Sequence, residues 1–556
     1  MKKSVMIGTS DFQTIINNNG YYIDKSLLIK EVVTNKASVL LIPRPRRFGK
    51  TLNMTMLRYF FENSILDKSY LFNSLKINEE KEIMELQGKY PVIYLTFKDI
   101  KIKNINSFER LIINLVKEMY REHEYLIKST NLNNYEKEDL NKYLSGKFDF
   151  IDCMSAIKIL SKLLFKHNDE KVIFLIDEYD TPIHSAYKNE CYEDVIDFMR
   201  GFLGSALKDN TYMEKAVITG ILRVAKESIF SGLNNLQVST VIDYFFEDSF
   251  GFTEEEVKEI LKYYNLEYDI NEVRGWYNGY IFGNKVIYNP WSILSFVEKY
   301  KRGFVPYWVN TSSNDIIEDL ISKGDANLKM SLEDLIQSKT VTKPIREDIS
   351  LREINENPNN IWSFLLFSGY LKVVNRVQDE YGLSCELKVP NIEVLYLYRE
   401  IIIKWADKSI NSHNFSYMMK CLVNGDIKEF NKIFKDYVIK SMSFFDPSGN
   451  ESEKVYHAFV LGMLIFLSDS YKVKSNRESG YGRYDIMIIP RERNSKGIVI
   501  EFKKFDDEDG SIEEAADNAL KQIKDKKYRI ELLDEGVTDI IELGIAFKGK
   551  DVKMSY

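Results

Sequence analysis

The chain has 556 residues, 44% of them hydrophobic and 29% charged. At roughly 150 residues per domain that leaves room for three or four compact units and excludes a disordered chain. Seventy-six Lys and Arg stand against 83 Asp and Glu, a net charge of −7, which excludes nucleic-acid binding by bulk basic charge and leaves only a local basic groove. The four scattered cysteines and the five histidines, none closely paired, exclude a disulfide framework, a Cys-x-x-Cys zinc site and a His-Glu-x-x-His protease. The N-terminus carries no apolar signal core, and the longest apolar stretch, 459–467, is far short of a membrane span. A cytoplasmic protein with no membrane partner is expected.

In chain order, short apolar runs at 38–42, 91–97, 172–177 and 216–220 alternate with amphipathic stretches, predicting a parallel α/β sheet covered by helices over 1–250. The first run leads into Pro43-Arg-Pro-Arg-Arg-Phe-Gly49-Lys50-Thr51 and then a helical run at 52–61. A strand, a tight loop ending in Gly-Lys-Thr and a helix are the parts of a phosphate cradle. Loop amides and the helix N-terminus face the anion, Lys50 reaches the β and γ phosphates, and Thr51 ligates Mg²⁺. Arg44 stands where the ordinary pattern has its first glycine, so Gly49 is the only glycine of the loop. Arg44, Arg46 and Arg47 either add charge to the phosphates or are simply solvated. The run 172–177 ends in Asp177-Glu178, where Asp177 can hold Mg²⁺ through water and Glu178 can polarise the attacking water. Thr219, at the end of 216–220, can contact the γ phosphate or that water.

From 251 the texture changes. Thr253 and Glu256 form a capping box, 280–288 reads as a hairpin about Gly283-Asn284, and Asn289-Pro290 opens another helix. The dense aromatics here (Trp276, Tyr277, Tyr280, Trp291 and Trp308) predict packing among small helices in preference to base stacking. Residues 251–444 read as an α-rich lid or connector.

A turn-forming linker at 445–450 opens a separate α/β unit, 445–556. It holds an apolar helix at 455–467, strands at 484–489 and 498–502, a capping box of Ser511 and Glu514 that starts a helix to about 527, and a last strand at 541–547. Alternation sends Glu501 and Lys503 to one face and Phe502 to the other. If the two strands pair as a hairpin, Asp485 lies across from them. Two carboxylates and a lysine suit a Mg²⁺ on a scissile phosphate and a lysine that orients or deprotonates water. From 471 to 504 nine Lys and Arg face four acids, a local positive excess that can neutralise phosphates or be a solvated face.

Tyr22-Ile-Asp24-Lys25-Ser, Arg44-Pro-Arg-Arg-Phe-Gly-Lys-Thr51, Asp177-Glu-Tyr-Asp180-Thr-Pro, Thr219-Gly-Ile-Leu-Arg223, Trp276-Tyr-Asn-Gly-Tyr280 and Tyr288-Asn-Pro-Trp291 together resemble the bacterial AAA-ATPase-like family, whose members carry a C-terminal nuclease-like domain. The resemblance runs through nearly the whole chain and implies an α/β P-loop NTPase fold with an added strand between the two nucleotide motifs. It also implies ATP and Mg²⁺ as cofactors. Arg46, Arg47, Gly49, Lys50, Thr51, Asp177 and Thr219 are then the nucleotide contacts, with Arg223 either a sensor or finger arginine or an exposed structural one. In that family the Arg-Pro-Arg-Arg-Phe-Gly-Lys loop takes the place of the ordinary P-loop.

Asp485, Glu501 and Lys503 resemble the acidic, acidic and basic positions of the PD-(D/E)xK nuclease superfamily. Glu453 matches the additional acid of its first core helix, and Gln522 is placed to contact the nucleic-acid backbone or steady the site. The implied partner is nucleic acid, expected to be DNA, and a finger arginine acting in trans would require a homo-oligomer. The implied function is ATP-controlled, Mg²⁺-dependent phosphodiester cleavage, in defence or mobile-element handling. The alternative is a nucleotide-dependent switch or scaffold whose nuclease-like domain binds without cutting.

Overall fold

Five short runs rich in Val, Ile and Leu make the first sheet: β1 (Val39–Pro43), β2 (Val92–Thr96), β3 (Val172–Asp177), β4 (Met213–Gly220) and β5 (Leu236–Val238). The strands pair in parallel in the order β2-β3-β4-β1-β5. Every residue of β1 and β3 is buried, as strands covered on both faces must be. The helices Ile105–Arg121 and Cys153–Asn168 lie between β2 and β3 in sequence, and Tyr192–Leu207 between β3 and β4, supplying the crossovers that parallel strands need. β4 sits between β1 and β3, so the added strand implied by the resemblance is present. It brings the C-terminal ends of these three strands side by side.

This computed structural model describes residues 2–189, 191–222, 229–230, 233–308, 315–322, 326–336, 338–349, 351–357, 359–380, 382–407, 412–441, 460, 464, 467, 470–479, 482–492, 495–505, 510–548 and 551–556. The chain divides into two compact units, one of Met1–Ser312 and Thr342–Val394, the other of Ser313–Val341 and Leu395–Tyr556. Among the described residues no helix is long and apolar enough to cross a membrane.

Beyond β5 the first unit holds the expected hairpin, β6 (Tyr280–Phe282) and β7 (Lys285–Ile287). Its aromatics pack on one another: Phe296 stacks on Phe304 at 4.8 Å, and Trp276 on Phe304 at 6.1 Å. The α-rich middle region also contains a three-stranded sheet, ordered β8-β10-β9, of β8 (Val341–Pro344), β9 (Lys372–Asp379) and β10 (Gly382–Lys388). Its apolar positions are interrupted by the half-buried charges Lys343, Lys372, Arg376, Glu386 and Lys388, which hid the strands from an apolar-run reading.

In the second unit the strands β11 (Tyr471–Ser479), β12 (Gly482–Pro490), β13 (Gly497–Lys504), β14 (Ile540–Lys548) and β15 (Asp551–Ser555) form one sheet in chain order. β12 and β13 are antiparallel and β13 and β14 parallel, with the helix Ile512–Asp525 as the crossover. One sheet face (Ile486, Ile488, Ile498, Ile500, Phe502) shares a core with the helices Ser412–Asn424 and Ile427–Ser441. The opposite face packs Met487, Ile489 and Val499 against Ile523 and Tyr528. The linker at 445–450 and, apart from residues 460, 464 and 467, the helix expected at 455–467 lie outside the described residues.

Candidate functional site

The loop after β1 enters the helix Lys50–Phe61 through Gly49, which has φ 82° and ψ 15°. A Cβ at Gly49 would meet nothing within 4 Å, so backbone conformation, not space, is what requires glycine. No side chain caps this helix, and its first amides and dipole remain available to an anion. Lys50 is buried and donates to the carbonyl oxygens of Arg44 at 2.9 Å and Pro45 at 3.0 Å. Burial pulls its pKa down, while the carboxylates of Glu178, Asp180 and Asp177 act to keep it charged.

Arg44 corrects the expectation that the extra arginines face phosphate or solvent. Its side chain is fully buried, donates to the carbonyl oxygens of Pro43, Ser239, Phe245 and Phe246, and lies between the rings of Phe250 and Phe282. Desolvation lowers its pKa to about 10. Where the ordinary loop starts with glycine, this one starts with a strut tied to the 239–246 segment. Arg47 is exposed at φ 67°, with its guanidinium 4.2 Å over the ring of Trp291, a cation–π contact that steadies an uncommon backbone conformation. Arg46 is half-buried on the same loop.

Asp177, at the end of β3, is fully buried. Its Oδ2 accepts from the Thr51 hydroxyl at 2.7 Å and its Oδ1 from the Thr219 hydroxyl at 2.5 Å. Glu178 follows with φ 52°. Burial raises its pKa, opposed by Lys50 and reinforced by Asp177 and Asp180. Lys50, Thr51, Asp177, Glu178 and Thr219 therefore meet at the ends of β1, β3 and β4. Hydroxyl and carboxylate oxygens are the donors Mg²⁺ takes, and it needs only one or two protein carboxylates. Arg223 lies outside the described residues.

Asp180, quoted in the sequence motif but given no role there, is buried and accepts from the amides of Ile221 at 2.7 Å and Leu222 at 3.1 Å. Burial opposes its charge, but His184 and those amides prevail and lower its pKa. The sequence signal for it is a third carboxylate, three residues after Asp177 and just ahead of Thr181-Pro182.

In the second unit Asp485 and Glu501 stand side by side on β12 and β13. The Asp485 amide donates to Glu501 Oε2 at 3.3 Å, and the Phe502 amide to Asp485 Oδ2 at 2.8 Å. Glu501 is buried, and the Gln522 amide of the crossover helix donates to its Oε1 and lies 3.4 Å from the Tyr528 hydroxyl. Phe502 belongs to the opposite core, so the alternation that puts half-buried Lys503 on the Glu501 face holds. Among the described residues no group of three or more His, Cys, Asp and Glu side chains forms a metal cage. The Asp485 and Glu501 pair still offers the oxygens an octahedral ion with several waters requires. Glu453 lies outside the described residues.

The first site has the parts of a P-loop nucleotide site, and the second those of a Glu-x-Lys nuclease fold. Residues 6–230 match the family model described as predicted AAA-ATPase, and residues 451–556 match that of the PD-(D/E)XK nuclease superfamily. The chain joins a AAA-ATPase-like domain to a PD-(D/E)XK superfamily domain. It is also 24% identical over 544 residues, 95% of this chain and 93% of the relative, to an uncharacterized protein in the vnfD 5′ region of Azotobacter chroococcum mcd 1.

Proposed function

We propose that the protein binds and hydrolyses ATP in its first unit and cleaves nucleic-acid phosphodiesters in its second, both with Mg²⁺. The carrying observation is the convergence of Lys50, Thr51, Asp177, Glu178 and Thr219 at three neighbouring strand ends. In this reading the loop amides with Gly49, Arg46 and Arg47 hold phosphate oxygens, and Lys50 turns from the loop carbonyls to the β and γ phosphates. Thr51 and Asp177 hold Mg²⁺, which when bound neutralises charge on the phosphates. Glu178, whose burial favours a proton, orients and deprotonates water, while Thr219 steadies Asp177. Arg223 is assigned as the sensor or finger arginine.

In the second unit Asp485 and Glu501 hold Mg²⁺, Lys503 orients the attacking water and Glu453 is the additional acid. Mg²⁺ there supplies Lewis acidity toward the scissile phosphate. Residues 1–250 act as the nucleotide domain, 251–444 as connector and 445–556 as the cleaving domain, with DNA as the substrate, the cytoplasm as the setting and a homo-oligomer as the assembly if Arg223 acts in trans. ATP binding and turnover by wild type and Lys50→Ala test the nucleotide half. Loss of both in the variant is expected, and unchanged values would contradict it.

A further inference from the structure

Glu393 is a carboxylate with no solvent exposure, in the first turn of the helix Ile392–Asp407. Its Oε2 accepts from the Ser292 hydroxyl at 2.6 Å and its Oε1 from the Trp308 amide at 2.5 Å. Both partners lead back to the phosphate loop by independent contacts. Ser292 follows Trp291, over whose ring Arg47 lies. The Trp308 ring meets Tyr280 edge-on at 6.2 Å, and Tyr280 meets Phe48 of the loop at 4.9 Å. Asn391 adds a third tie, donating to the Asn278 carbonyl at 2.8 Å while its Oδ1 accepts from the Val394 amide at 3.0 Å.

Two motifs that the nucleotide chemistry leaves unused, Trp276-Tyr-Asn-Gly-Tyr280 and Tyr288-Asn-Pro-Trp291, are thus gripped on one side by the loop and on the other by Asn391 and Glu393. The first unit ends its two chain segments at Ser312 and Val394, four residues after Trp308 and one after Glu393. A close-packed network of this kind shifts as discrete arrangements and does not deform smoothly.

We infer that Glu393 is a positioning residue that fastens the phosphate loop to Trp308 and to the start of the helix Ile392–Asp407, and so carries nucleotide occupancy of the loop into that helix. This rests on the nucleotide reading of the loop. A buried carboxylate accepting two hydrogen bonds suits the task because breaking either leaves a buried group unpaired, so Ser292 and Trp308 move together or not at all.

The test uses the full chain with MgATP and measures ATP affinity and amide hydrogen exchange in peptides covering 392–407. In wild type ATP should slow exchange there. Glu393→Ala should bind ATP within about threefold of wild type yet lose at least about half of the ATP-induced protection. Glu393→Gln should keep it, since its amide oxygen still accepts from Trp308 and its NH₂ can donate to Ser292. Ser292→Ala leaves the carboxylate in place, should lose part of the effect, and decides the matter if Glu393→Ala does not fold. Full ATP-induced protection in Ser292→Ala and in any folded Glu393→Ala overturns the inference, as does a wild type that binds ATP without a change at 392–407. A wild type that fails to bind ATP removes the nucleotide reading and this inference with it.

Discussion

The main-chain amide of Asp485 donates to the side chain of Glu501 at 3.3 Å. The two carboxylates are therefore set by the β12–β13 ladder itself, not by flexible side-chain encounter. Replacing either carboxylate, as Asp485→Asn or Glu501→Gln, keeps the shape and removes the charge. Mg²⁺-dependent cleavage should fall at least about 10³-fold in each while far-ultraviolet circular dichroism stays at the wild-type value. Retained cleavage in both would leave these groups without a catalytic part.

Gln522 holds Glu501 from the neighbouring helix. Groups that orient metal-binding carboxylates are typically worth about 10- to 100-fold in metal affinity or activity. Gln522→Ala should raise the Mg²⁺ concentration needed for half-maximal cleavage by that order and leave nucleic-acid binding nearly unchanged. A Mg²⁺ titration of cleavage, beside a binding isotherm in Ca²⁺, checks it.

Arg44 serves four carbonyl oxygens from a fully buried position. Arg44→Ala removes these bonds and opens a cavity, a loss of roughly 2–4 kcal/mol. It should also weaken ATP binding, because Lys50 and the loop amides lose their support. Urea unfolding followed by tryptophan fluorescence measures the first effect and an ATP titration the second.

The strand cores of both sheets were legible because β1 and β3 are apolar up to their last residues and β13 and β14 hold short apolar runs at 498–500 and 543–547. The chemistry was legible because Lys50 follows β1 through its loop, Asp177 and Glu178 close β3, and Glu501 follows the run 498–500. β5 is three residues long and half-buried, and β11 carries Lys472, Lys474 and Arg477, so neither has an apolar signature. The role of Arg44 was not readable, since nothing local distinguishes a solvated arginine from one whose acceptors lie about 200 residues away. Glu393 was invisible for the same reason: Ser292 and Trp308 are distant in sequence, and a lone glutamate opening a helix reads as an ordinary first-turn acid.

Burial pushes the Glu393 carboxyl up to about 7, against the hydrogen bonds from Ser292 and Trp308, from an ordinary value of 4.5. Between those pH values the folded chain holds a proton that the unfolded chain has released. Stability from this group is present below pH 4.5, is lost as pH rises toward 7, and stays lost above it, an effect on the order of 3 kcal/mol. The companion groups within reach are Tyr277, Tyr280 and Tyr307, which stay neutral across this range. Glu393→Gln should flatten the dependence between pH 5 and 8, read from urea midpoints at each pH. An unchanged slope would show that the carboxyl titrates normally.

The proposed division of phosphate chemistry between two carboxylate sites, one at Asp177 and one at Asp485 and Glu501, makes the two activities separable. Its most direct test is a single assay that follows ATP hydrolysis and phosphodiester cleavage together in wild type, Lys50→Ala and Glu501→Ala. Hydrolysis lost only in Lys50→Ala, with cleavage lost in Glu501→Ala while its hydrolysis persists, is the predicted result. Equal cleavage by wild type and Glu501→Ala, or equal hydrolysis by wild type and Lys50→Ala, would contradict it.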